Sequence, residues 1–217
     1  MASWMIHLRV ADKLLDRIEN LSPIEFIMGN LAPDSGAPQA DGSFYPDQTV
    51  SHFRLDDGSG KKMIDLEAYT RRYFSPALIP GYDEGQYAFH LGYYCHLLTD
   101  ICWSDRIAWP TRLRFPDADW ANIKKDWYDL DRLYLKKRPG FRAFRAYLGS
   151  VGFLNRYVDF FPADAFELRR EAVTSFYLED DGEPDRVYTY LSEDEANRFV
   201  DDCTAYILEV LKWSTHH

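Results

Sequence analysis

The chain reads as an all-α protein, a single-domain multi-helix bundle. Three observations predict this. Apolar residues recur at three- and four-residue steps through much of the sequence, no run alternates apolar and polar residues as a half-buried strand does, and helix-start signals and breakers punctuate the chain. At 217 residues, with 46% hydrophobic and 16% aromatic, the chain is globular, and its length suits one core better than two. One domain over 1–217 is therefore expected.

The elements follow in order. Trp4 to about Ile18 carries Met5, Leu8 and Leu15 at helical spacing, with Arg9, Asp12, Lys13 and Asp16 toward water. Ser22-Pro23-Ile24-Glu25 has the form of a capping box with proline at the first helical position, opening a short helix through Met28 that Gly29-Asn30 ends. Leu31 to Gly36 reads as a turn. From there to about Lys62 the Gly, Pro, Asp and Ser content implies a long irregular loop, of the kind that is usually functional or disordered. Asp65 caps a helix to about Phe74, and Glu84 to Trp103 is a helix apolar nearly all round, hence buried. Pro110 and Pro116 bracket a connection. A long amphipathic helix runs from about Asp117 to Lys137 and stops at Pro139-Gly140. Helices from Phe141 to about Tyr147 and from Pro162 to about Leu178 come next. Glu179 to Asp185 is an acidic turn, Arg186 to Tyr190 a short extended piece, and Ser192-Glu193-Asp194-Glu195 a second capping box that opens a last helix to about Trp213.

The formal net charge of −10 argues against binding driven by a basic face, so neither a nucleic-acid duplex nor an anionic bilayer is an expected partner. No segment has about 18 uninterrupted apolar residues, so stable membrane insertion is not expected. Cys95, Cys102 and Cys203 are an odd number with two in the apolar helix. Buried thiols fit a reducing, cytoplasmic setting.

The chemistry centres on Tyr93 to Trp103. Four residues advance a helix by about 400°, so His96 and Asp100 share one face about 40° apart. A buried aspartate must be paired, hydrogen-bonded or bound to a metal, and a self-satisfying ion pair is the plainest form of this. His90 points about 120° from His96 and reads as packing or surface. His216 and His217 read as a frayed end.

Together, Trp4-x-x-His7, Gly29-Asn30-x-x-Pro33-Asp34, Ser51-His52-Phe53 and His96-x-x-x-Asp100 resemble, over roughly the first half of the chain, the zinc-dependent phospholipase C family and its relatives, the single-strand-specific nucleases. The resemblance implies an all-α fold with zinc in a cleft between helices. It implies that Asp34, His52, His96 and Asp100 hold one ion, and that Asp100 bridges to a second ion held by His7 and the backbone of a tryptophan. In the family that tryptophan is the mature N-terminal residue; here Trp4 follows three others. The family's further zinc site uses later histidines, and here none lies between His96 and His216. One or two zinc ions are therefore expected rather than three. The acidic residues Asp126, Asp129 and Asp131 on the long helix read as solvent-facing, as charge runs usually are.

The expected activity is hydrolysis of a small phosphate ester or phosphodiester through metal-bound hydroxide, with Asp34 able to act as general base. Trp4 and Trp103 would pack beside the ligands and Tyr93 or Tyr94 would offer a hydroxyl; core filling is the other role of such aromatics. The alternative is a non-catalytic member of the same fold. Ligand count separates the two, since a hydrolase keeps an open coordination position.

Overall fold

Local capping rules place most of the helices. The computed structural model of the chain describes every residue except Asp57, Ser59, Lys62, Asp180, Asp181 and Thr215 to His217, and only the backbone of Trp213 and Ser214. His216, His217 and the middle of the acidic turn thus lie outside the described residues. The chain is 63% helical and 4% strand, the all-α class expected.

Ser3 caps α1 (Trp4–Leu15) by accepting from the Ile6 N–H. Next come α2 (Pro23–Leu31), a 3₁₀ turn Ala32–Asp34, α3 (Gln48–Ser51) and α4 (Leu66–Tyr73). Asp65 caps α4 through the Ala68 N–H, and Asp83 caps α5 (Glu84–Trp103) through the Gln86 N–H. A π-helical turn, Ser104–Ala108, leads into α6 (Trp109–Arg114). The rest is α7 (Trp120–Lys137), α8 (Arg142–Gly149), α9 (Ala165–Leu178) and α10 (Glu193–Ser214). The Ser192–Glu195 capping box forms as expected, with reciprocal bonds of 2.8 and 3.2 Å. At Ser22 no side-chain cap forms.

α5 is the axis of the molecule, packed by α2, α4, α10 and α1. Its crossing with α2 brings the two backbones into contact. A Cβ on Gly29 would overlap the Phe89 carbonyl, and one on Gly92 would overlap that of Phe26. Gly29 therefore does not end α2, as the sequence suggests. It lies inside the helix because two backbones must touch there. Asn30 fastens the crossing by donating from Nδ2 to the Gly92 carbonyl at 3.3 Å.

Four further expectations change. The segment from Gly36 to about Lys62 is not wholly irregular: β1 (Ala37–Pro38) pairs with β2 (Phe44–Tyr45), and β3 (Arg54–Leu55) with β4 (Met63–Ile64), both antiparallel. Pro110 does not bracket a connection: it lies in the first turn of α6, which continues the π-helical turn without a break, Ala108 and Trp109 both keeping helical backbone angles. Asp126, Asp129 and Asp131 do not face solvent; each is about 2% exposed. Asp126 accepts from the Thr189 and Tyr190 N–H groups and pairs with Arg186 at 2.7 Å, while Asp129 accepts from Arg186 and Lys125. These bonds pin the 183–190 segment to α7, which is why Arg186 to Tyr190 forms no strand among the described residues.

Candidate metal centre

His96 lies at mid-height on α5, fully buried, and its Nδ1 sits 2.7 Å from the Asn30 carbonyl. A carbonyl only accepts, so Nδ1 carries the proton and Nε2 presents a lone pair. One turn later on the same helix, Asp100 turns its carboxylate to the same point, with Oδ2 3.5 Å from His96 Nε2. α2 runs into the 3₁₀ turn that sets Asp34 beside them. His52 arrives at the end of α3, which Asp47 caps through the Thr49 N–H at 2.7 Å. From α5 the Tyr93 hydroxyl donates to the Ser51 carbonyl, and the Ser51 hydroxyl lies 3.0 Å from His52 Nδ1. His52 Nε2 is thereby aimed inward. Phe53, the next residue, adopts φ 52° with its ring against Tyr69 and Tyr73. A left-handed phenylalanine costs about 1–3 kcal/mol, and such strain clusters at functional sites.

The distances match a shared cation. Two ligand atoms each about 2.05 Å from a tetrahedral zinc lie about 3.3 Å apart. His52 Nε2 is 3.3 Å from His96 Nε2 and 3.2 Å from Asp34 Oδ1. Asp34, His52 and His96 offer ligand atoms all within 4.8 Å of one another, and so do His7, His96 and Asp100. Asp100 stands between the two groups, with Oδ1 3.3 Å from His7 Nε2 and Oδ2 3.7 Å from His52 Nε2. The His7 and His96 rings stack with centroids 3.8 Å apart. Two buried observations point to an absent partner: Asp100 Oδ2 and both ring nitrogens of His7 lack hydrogen-bond partners.

The electrostatics agree. Burial draws the His7 imidazole down to about 4, with a further push from neighbouring His96, and burial also lowers His52. His7 and His52 are neutral ligands at pH 7. His96 itself is raised, its burial outweighed by the bond to Asp100 and the charges of Asp100 and Asp34, and a cation on Nε2 would replace that proton. Burial alone would raise Asp34 and Asp100, yet both are held low. The hydrogen bond from His52 does this for Asp34; for Asp100 it is the chain's α-amino charge and then His7 and His96. No Lys or Arg side chain pairs with either among the described residues. Ionised carboxylates compensated by imidazoles are a cation's usual surroundings.

Asp34 and His52 open onto a cavity of about 730 Å³. Its walls include Trp4, Trp120, Trp127 and Tyr128, and also Lys61, Arg112, Lys124 and Arg169. Asp34 is the acidic residue on this wall among the described residues, so the mouth is locally basic in an acidic chain.

All five sequence-predicted ligands converge. Among the aromatics, Trp4 lines the cavity, under the Arg169 guanidinium at 5.4 Å. Trp103 does not; it packs edge-on to Trp127 and Phe199 in the core. Tyr94 does not either, being stacked on Phe74. Tyr93 offers its hydroxyl to Ser51 rather than to the cavity. The main-chain N–H that reaches the cluster belongs to Ala2, 2.7 Å from Asp100 Oδ1, and not to Trp4. His90 is core packing: buried, bonded from Nδ1 to Tyr69 and stacked on Tyr73. Sequence reasoning missed the tautomer-fixing carbonyl of Asn30 and the cavity cations, which come from three helices and the segment between β3 and β4 with no shared motif. No family model, curated protein or solved structure matches the chain, so the site is defined by its own geometry.

Proposed function

We propose that the protein is a metal-dependent phosphoesterase that uses zinc, one or two ions, at the His/Asp cluster. The observation that carries the reading is the convergence of Asp34, His52 and His96, with ligand atoms within 4.8 Å of one another and His52 3.2 and 3.3 Å from the other two, beside a cavity with a basic mouth. Asp34, His52, His96 and the Asp100 oxygen 3.5 and 3.7 Å from the two imidazoles would hold one ion, with a water adding to that set on the cavity side, where Asp34 and His52 lie. His7 and Asp100 suit the second ion.

When bound, zinc would supply acidification of a coordinated water and a positive charge against phosphoryl oxygens. The chain's own groups supply the rest. Asp34 is the cluster carboxylate at the cavity, so it takes or orients the water's proton. Asn30 and Ser51 hold His96 and His52 in place through their outer nitrogens, the role hydrogen-bonded groups behind a ligand normally have. Arg169 donates to the Gly36 carbonyl at 2.6 Å, which sets a fixed cation two residues past Asp34 for an anionic ester.

The test is hydrolysis of bis(4-nitrophenyl) phosphate and 4-nitrophenyl phosphate by the purified protein with chelator, then with zinc restored. Turnover that vanishes and returns supports the reading. Turnover indifferent to chelator, or none with zinc present, overturns it; tight zinc without turnover identifies the non-catalytic member of the fold instead.

A further inference from the structure

About half of the described basic side chains in this acidic protein pair with a carboxylate. Lys13 pairs with Asp201, Lys125 with Asp129 and Glu183, Lys137 with Glu193, Arg142 with Asp12 and Asp16, and Arg170 with Glu167. On the cavity wall Lys61 is likewise paired, with Asp105 at 2.6 Å. Among the described residues no carboxylate pairs with Arg112 or Lys124. Both sit by Trp120, which is 37% exposed. Lys124 lies one turn along α7 from Trp120, on the face that also brings Trp127 and Tyr128 to the cavity. The Arg112 guanidinium lies 5.9 Å from the Trp120 ring, held by a 3.2 Å bond from Nη1 to the Ala118 carbonyl.

Two cations converging on one half-exposed indole, without a counter-charge of their own in a chain of formal charge −10, make a ring-and-anion subsite. They come from α6 and α7, whereas every residue of the His/Asp cluster comes from the first half of the chain through α5. The cavity they share, about 730 Å³, is far larger than a phosphoryl group needs. We propose that the subsite formed by Arg112, Trp120 and Lys124 takes a second anionic group of the substrate, so that the ester hydrolysed carries a negative charge beyond its phosphoryl group, joined through an apolar spacer that packs on Trp120. The substrate class is a doubly anionic organic phosphoester. This deepens the phosphoesterase reading and rests on it for the group held at the cluster.

Isothermal titration tests it with phenyl phosphate and para-substituted analogues bearing a carboxylate directly or on chains of one and three carbons. Each is titrated into the full-length protein with zinc added and after chelation. At least one analogue should bind about tenfold more tightly than phenyl phosphate, and Arg112→Ala/Lys124→Ala should erase that advantage while leaving phenyl phosphate within about twofold. Chelation should weaken the whole series and keep the ratio within it. If chelation changes nothing but the ratio persists, the metal reading fails and the subsite stands. If no analogue outbinds phenyl phosphate, or the advantage survives the double substitution, the subsite is wrong.

Discussion

Asp131 shows how single residues here depart from what their type suggests. It is buried beneath the start of α1, accepting from the Ser3 hydroxyl at 2.9 Å and the Tyr177 hydroxyl at 2.8 Å. Burial pushes its carboxyl up to about 7, against the pull of those two bonds and of Arg9 and Arg132. A carboxyl raised in the folded state opposes folding as pH climbs from the unfolded value near 4 to the folded one, because the unfolded chain gives up its proton first. Asp131→Asn should remove that slope. The stability of the variant relative to the parent, measured by urea denaturation, should rise between pH 4 and pH 7, by up to about 4 kcal/mol. A difference constant across that range would show that Asp131 titrates normally. None of this was legible in the sequence, where Asp126, Asp129 and Asp131 look like a solvated charge run. Their partners lie on α1, α9 and the 183–190 segment, and single-helix periodicity does not report on contacts across the fold.

At the scale of elements, the α2–α5 crossing governs the site. α2 supplies the Asn30 carbonyl that fixes the His96 tautomer and leads into Asp34, and α5 carries His96 and Asp100. Gly92→Ala forces the two backbones apart, so it should cost about 3 kcal/mol of stability by chemical denaturation and also weaken zinc binding. Unchanged zinc affinity in a destabilised Gly92→Ala protein would mean that the crossing does not set the ligand geometry. The limits of α5 could be read closely from its capping Asp83 and its apolar run. The limit of α2 could not, because glycine next to asparagine is a sound stop signal and only tertiary contact turns it into a packing device. The short hairpins around α3 were likewise hidden. Two-residue strands carry no alternation to detect.

For the whole molecule, the sequence indicated a helical domain with a His/Asp site, and the fold brings His7, Asp34, His52, His96 and Asp100 to one place from α1, the turn after α2, the end of α3 and α5. Those residues were legible because their identities and order are distinctive. The cavity above them was not, since Arg112, Lys124 and Arg169 are ordinary surface residue types until the helices assemble. The net charge suggested a molecule unsuited to anions; its distribution gives the mouth the opposite sign. Among the described residues no helix is long and apolar enough to cross a membrane. The central claim, that the cluster holds a cation, is tested most directly by elemental analysis of the purified protein beside His52→Ala and His96→Ala, each first shown to be folded by circular dichroism. The account predicts about one zinc or more per chain in the parent and a loss of at least about tenfold in affinity in each variant. Undiminished zinc in both variants, or none retained by the parent at micromolar zinc, would contradict it.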